Sequence, residues 1–178
     1  MSSTPRPAGV TPEKVMRYVW GYAPPLILEA AVRTGVFDAL KDGSKTAAQV
    51  SDAAGASLRG ITSILNALAG LELLEKNGDS YSLTPESRAF LLKDAPGYLG
   101  GMIGHISSQL IPKWLDIENI VRTVRPSAMI NNATEGSAFF EKFVSALFPF
   151  NYGAASAAAE PLGVAAATGP VRVLDLAA

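Results

Sequence analysis

TAAQVSDAAGASLRGITSILNALAGLELLEKNGDSYSLTPE, residues 46–86, reads in one pass as helix, turn, helix and hairpin. Thr46 and Gln49 stand three apart, the spacing of a capping box, in which each side chain bonds the other residue's backbone N–H. This predicts a helix from Thr46 to about Ala54, broken by Gly55. Ser57 predicts the cap of a second helix, with Ile61, Ile64, Leu65, Leu68 and Leu71 at helical spacing. Residues 73–76 and 80–83 then predict two short strands around a turn on Asn77-Gly78-Asp79, because Asn and Gly both tolerate positive φ. Thr84-Pro85-Glu86 opens another helix: a Thr cap, Pro at the first helical position and an acid near the positive end of the dipole. Helix, turn, helix and hairpin in this order make a winged helix.

Towards the N-terminus, Thr11-Pro12-Glu13 repeats the same start signal. The helix it opens carries Val15, Tyr18, Val19 and Tyr22 on one stripe and Met16 and Trp20 on another, more apolar surface than a single core needs. A second helix is expected over 25–34, ended by Gly35, then a short helical turn over 36–40 and a polar loop over 41–45. Residues 1–10 read as a disordered arm and lack the apolar core of a signal peptide.

Towards the C-terminus, Leu99, Met102, Ile103, Ile106 and Leu110 predict a core stripe, with Gly97, Gly100, Gly101 and Gly104 on a neighbouring face. Each glycine inside a helix costs ~1 kcal/mol relative to alanine, so several together predict close helix packing ahead of ligand contact. Pro112 restarts a helix through Trp114, Leu115, Ile117 and Val121, and 125–136 reads as a loop. Ser137 is expected to cap a helix carrying Phe139, Phe140, Phe143, Val144, Leu147 and Phe148, ended by Pro149, with an alanine-rich helix over 151–162 after it. A turn over 168–170 delivers an apolar strand, 171–176, followed by Ala177-Ala178. Such a strand with a turn of small residues opens a cofactor-binding α/β domain. A lone parallel strand has no ladder partner, so the chain reads as the front part of a longer enzyme.

The chain has 178 residues, 48% of them hydrophobic but only 17% charged, against roughly 25% charged in an ordinary domain. So little charge predicts apolar surface buried against another chain or domain. A net charge of -1 lacks the basic excess of a nucleic-acid footprint. With no cysteine, disulfides and thiolate metal sites are excluded, and a reducing, cytoplasmic location is expected. The longest uncharged runs hold Pro149, Asn151, Gly153 and Gly169, and none has the continuous apolar character of a bilayer span.

This order of parts resembles the small-molecule O-methyltransferases that use S-adenosylmethionine, in their dimeric winged-helix branch. The likeness rests on Gly35-Val36-Phe37-Asp38-Ala39-Leu40, Thr46-Ala47-Ala48-Gln49-Val50, Ile64-Leu65-Asn66-Ala67-Leu68, Tyr81-Ser82-Leu83-Thr84-Pro85 and Val173-Leu174-Asp175-Leu176. It implies a mainly α fold: a winged-helix dimerisation domain over 11–95, linker helices that enclose the substrate over 96–168, and over 169–178 the first strand of a Rossmann-like domain whose remainder is missing. It implies a homodimer acting on a small aromatic or polyketide-like hydroxyl acceptor, with no nucleic-acid or membrane partner. S-adenosylmethionine is the implied cofactor, with Asp175 and Ala177 as its contacts. The family's glycine-rich turn is replaced here by Ala177-Ala178, and its ribose-binding acid is expected about 20 residues further on. The family's catalytic histidine also lies beyond Ala178, so no catalytic residue is assigned and the fragment alone is expected to be inactive.

For the substrate, His105 shares a helical face with Tyr98, Gly101 and Ser108. It reads either as a pocket residue bonding a phenol or ketone, or as a partly exposed helix residue. Phe148, Asn151 and Tyr152 are expected to stack on or bond a flat acceptor, with Trp114 in a similar role, while Phe139, Phe143 and Leu147 read as core. The alternative is a winged-helix transcriptional regulator with the helix after Ser57 in the major groove. That helix offers only Arg59, and the hairpin sets Glu75 and Asp79 against Lys76, too little to neutralise phosphates.

Overall fold

The computed structural model describes residues 9–125, 133–172 and 174, excepting the side chains of 133–139, 142, 145 and 165. It divides into two compact units, Met1–Lys93 and Asp94–Ala178. The described residues are mainly helical, with one small antiparallel sheet.

The first unit opens with α1 (Glu13–Val19), a single 3-10 turn (Trp20–Tyr22) and α2 (Ala23–Arg33). Thr11 does not cap α1. Pro12 holds the cap position at φ -78° and ψ -5° without a side-chain bond, and its carbonyl accepts from Met16 N–H at 2.9 Å. Proline's fixed φ is already helical, so the first turn closes on Pro12 itself. α2 ends at Gly35, whose φ of 73° is left-handed and suits a residue without Cβ. The short α3 (Val36–Ala39) follows, and Lys45 Nζ donates to the Ala39 carbonyl at its end.

α4 (Ala47–Ala54) and α5 (Leu58–Gly70) start where the caps predict. Thr46 Oγ1 accepts from Gln49 N–H and Gln49 Oε1 accepts from Thr46 N–H at 2.9 Å, completing the capping box. Ser57 Oγ accepts from Gly60 N–H at 3.2 Å. At the end of α5 Gly70 remains helical and Glu72 takes the left-handed position, at φ 60°. Leu73 N–H reaches back to the Leu68 carbonyl and Glu72 N–H to that of Ala69, the paired bonds of a Schellman end.

β2 (Leu74–Asn77) and β3 (Ser80–Leu83) form the expected hairpin, with a two-residue loop of Gly78 and Asp79. Asn77 belongs to the ladder opposite Ser80, and only Gly78 carries positive φ. A third strand, β1 (Lys45–Thr46), pairs with β3 and gives the order β1-β3-β2. Two residues held by a partner some 35 positions away leave no local pattern to read. α6 (Pro85–Phe90) closes the unit, with Thr84 Oγ1 accepting from Ser87 N–H. The core is Phe37, Leu40, Val50, Leu65 and Leu68, so the helical stripe of α5 faces inward as its periodicity indicates.

The second unit runs through α7 (Gly100–His105), a π-helical segment (Ile106–Leu110), α8 (Ile111–Trp114), α9 (Ile117–Thr123) and α10 (Ala133–Ala159), and closes on a 3-10 turn (Val164–Ala166). Three expectations are corrected here. The stripe of Leu99, Met102, Ile103, Ile106 and Leu110 is only half-buried, and it is His105 that is buried, at 4% exposure. The glycine face is the one turned to α10: a Cβ on Gly101 would meet Ala146 Cα at 3.7 Å.

The second correction is that Ser137 is not a cap, Ala133 to Gly136 are helical rather than loop, and Pro149 does not end a helix. α10 passes through Pro149 as one element of 27 residues. Proline removes one backbone donor, but its φ is helical, and the alanine-rich sequence beyond it propagates the helix. The third concerns the closing strand. Val171, Arg172 and Leu174 are exposed and in no strand, Val173 and 175–178 lie outside the described residues, and no described strand borders this stretch. Without a ladder an apolar segment gains nothing from extended pairing.

Candidate functional site

Each unit presents one feature that invites a partner. In the first it is a surface. α1 and the turn after it leave both predicted stripes open: Val15, Val19 and Tyr22 are exposed, Tyr18 is 76% exposed and Trp20 59%. Trp20 and Tyr22 lie with ring centroids 6.4 Å apart. Contiguous apolar surface of this kind on a soluble fold marks an interaction site.

In the second unit it is a cavity of about 420 Å³, lined by Gly101, Gly104, His105, Ser108, Gln109, Glu141 and Ala146. Its chemistry follows from how α7 continues. In the π segment Ile111 N–H bonds to the Ile106 carbonyl, five residues back rather than four, a widening that recurs at functional sites. Ser107 and Ser108 hydroxyls both donate to the Gly104 carbonyl, at 3.2 and 2.6 Å. The Ser108 proton is therefore directed back to its own helix, and its oxygen is available to the cavity as an acceptor. Beside the cavity, α10 brings Phe143 against His105 with ring centroids 5.3 Å apart. A lining that mixes apolar residues with a few polar groups is the usual make-up of a small-molecule site.

Of the substrate candidates, His105, Gly101 and Ser108 come together at this cavity, and the partly exposed alternative for His105 does not hold. Phe148 lines a separate cavity of about 300 Å³ with Tyr98, Gly101, Ala146 and Pro149. Its ring, 62% exposed, lies 5.6 Å from that of the exposed Tyr152. Asn151 is exposed on the same helix. Trp114 is elsewhere, 65% exposed and lining an apolar recess with Lys113, Ile117 and Ile120. Sequence reasoning missed Gln109 and Glu141. Gln109 stands four residues after His105 and was findable by that spacing; Glu141 comes from another helix and was not.

Asp175 and Ala177 lie outside the described residues. The described residues before them form neither strand nor helix start, so among the described residues nothing builds a dinucleotide-type cofactor site. Also among the described residues, no group of three or more His, Asp or Glu could hold a metal, and no helix is long and apolar enough to cross a membrane.

Residues 16–93 match the O-methyltransferase dimerisation domain. The chain is 36% identical over 103 residues to the N,N-dimethyltransferase OxyT of Streptomyces rimosus, an alignment covering 58% of this chain and 30% of OxyT. It is 30% identical over 128 residues to the 3-hydroxy-5-methyl-1-naphthoate 3-O-methyltransferase of Streptomyces sahachiroi, covering 70% of this chain and 37% of that enzyme. Among solved structures it is similar to PigF with SAH, at 30% identity and a TM-score of 0.60, covering 64% of this chain and 34% of PigF. The chain thus spans about a third of the length of the curated relatives it matches.

Proposed function

As the bearer of an O-methyltransferase dimerisation domain over residues 16–93, this chain, we propose, supplies the dimer-forming and acceptor-enclosing part of a methyltransferase. That enzyme moves a methyl group from S-adenosylmethionine to a hydroxyl of an aromatic or polyketide-like small molecule, as a cytoplasmic homodimer. The first unit is a winged helix used for pairing. The observation that carries the reading is the open apolar face of α1, with Tyr18 and Trp20 on it, inside the matched segment.

The second unit encloses the acceptor. A flat aromatic would lie against Gly101, Gly104 and Ala146, in the cavity that His105 and Ser108 also line. Phe148, Asn151, Tyr152 and Trp114 serve as further acceptor contacts once the enzyme is assembled. The cofactor supplies an activated methyl, and Asp175 and Ala177 are its proposed contacts. No catalytic residue is assigned to this chain, and it is inactive alone. The relatives include both an N- and an O-methyltransferase, which fits a shared region that pairs and encloses and does not choose the acceptor atom. The DNA-binding alternative gains nothing from the fold, since α5 contributes Arg59 as its single cation.

The enclosing role is tested by calorimetric titration of the chain with 3-hydroxy-2-naphthoate. Saturable binding of one molecule per chain, weakened by His105→Phe, supports it. Absence of saturable binding contradicts it.

A further inference from the structure

The three glycines of α7 stand in different surroundings. A Cβ on Gly100 would collide with the Tyr98 phenol, whereas one on Gly101 would lie in ordinary van der Waals contact with Ala146, 3.7 Å from its Cα. Gly104 has neither constraint. A Cβ there would meet nothing within 4 Å, and its φ is not positive, so alanine would fit both the space and the backbone. Glycine at such a position costs the helix ~1 kcal/mol relative to alanine and returns no packing or turn geometry. What Gly104 does border is the cavity beside His105.

We infer that Gly104 sets the size of the aromatic group this cavity admits: the missing side chain is the room into which the acceptor's ring system extends. This deepens the acceptor-enclosing role proposed above and rests on it. Gly104 immediately precedes the buried His105 and follows Gly101 on the same face by three residues. A side chain at 104 would therefore take up space in the cavity that His105 and Ser108 also line. Alanine would shorten the cavity slightly, and leucine would occupy it. The position discriminates by steric exclusion, so small phenols are spared and multi-ring acceptors are not.

The test compares the unmodified chain with Gly104→Ala and Gly104→Leu, using phenol, 2-naphthol and 1-hydroxyanthraquinone as one-, two- and three-ring probes in calorimetric titrations. The expected pattern is a loss of affinity that grows with the number of rings and is smallest for phenol. Affinity for the two- and three-ring probes should fall by about tenfold or more in Gly104→Leu. Melting temperatures of both variants should equal or exceed that of the unmodified chain, because the added atoms enter open space and a better helix former replaces glycine. A lowered melting temperature in Gly104→Ala would mean that the site is packed, and would overturn the inference. Unchanged binding of the three-ring probe to Gly104→Leu would also overturn it while leaving the acceptor role intact. If the unmodified chain takes up none of the three probes, the acceptor role itself fails and the inference with it.

Discussion

The imidazole of His105 and the ring of Phe143 lie with centroids 5.3 Å apart and planes inclined by 45°. This contact is one of those that join α7 to α10, beside the cavity that His105 lines. Phe143→Ala should therefore destabilise this unit by about 2 kcal/mol, below the ~3–5 of a fully buried Phe because Phe143 is only half-buried. Phe143→Leu should cost about half as much. Urea unfolding followed by Trp114 fluorescence in a Trp20→Phe background reads the second unit alone, since the chain has two tryptophans. A shift confined to the first unit would contradict the contact.

Glu72 closes α5 in a left-handed conformation, at φ 60°, where an L side chain carries a steric penalty of ~1–2 kcal/mol. Glu72→Gly relieves it, at some cost in chain entropy. A net gain of about 0.5–1 kcal/mol is expected, measured as a rise in the urea midpoint of the first unit. Glu72→Val should lower that midpoint.

The capping box of α4 is complete, with Thr46 and Gln49 each bonded to the other's backbone. Thr46→Ala removes the Oγ1 acceptor for Gln49 N–H, and ~1 kcal/mol of stability should be lost. Thr46→Ser should lose little. Hydrogen exchange at the Gln49 amide locates the effect, and unaltered protection there in Thr46→Ala would argue against the cap.

S-adenosylmethionine should leave the melting temperature of the chain unchanged, because Val171, Arg172 and Leu174 are exposed and form no strand to open a cofactor turn. A ligand bound at a hundred times its dissociation constant adds ~2.7 kcal/mol to the stability of a native state, an effect easily seen by scanning calorimetry. A rise in melting temperature on that scale would show a cofactor site within these residues.

What was legible in the sequence was the chemistry that acts over three or four residues. Thr46, Ser57 and Thr84 sit one residue before their helices and bond three residues ahead, so their roles follow from spacing alone. The stripe of Ile61, Leu65 and Leu68 is likewise local. Features decided at a distance were not legible. β1 exists because Tyr81 and Ser80 pair with Lys45 and Thr46. Pro149 remains inside α10, although proline more often ends a helix, because the residues on both sides favour helix. His105 is buried because α10 covers its face, which reverses the inside and outside read from the apolar stripe of α7. The candidate site divides the same way: Gly101, His105 and Ser108 share a readable spacing, while Glu141 arrives from another helix.

The proposed pairing of two chains through α1 is measured most directly by the mass of the chain in solution. Multi-angle light scattering at micromolar concentration should give twice the 18.6 kDa of one chain. Tyr18→Glu with Trp20→Glu, at two exposed positions, should give the single mass without loss of helical circular dichroism. A monomeric mass for the unmodified chain at that concentration would contradict the account.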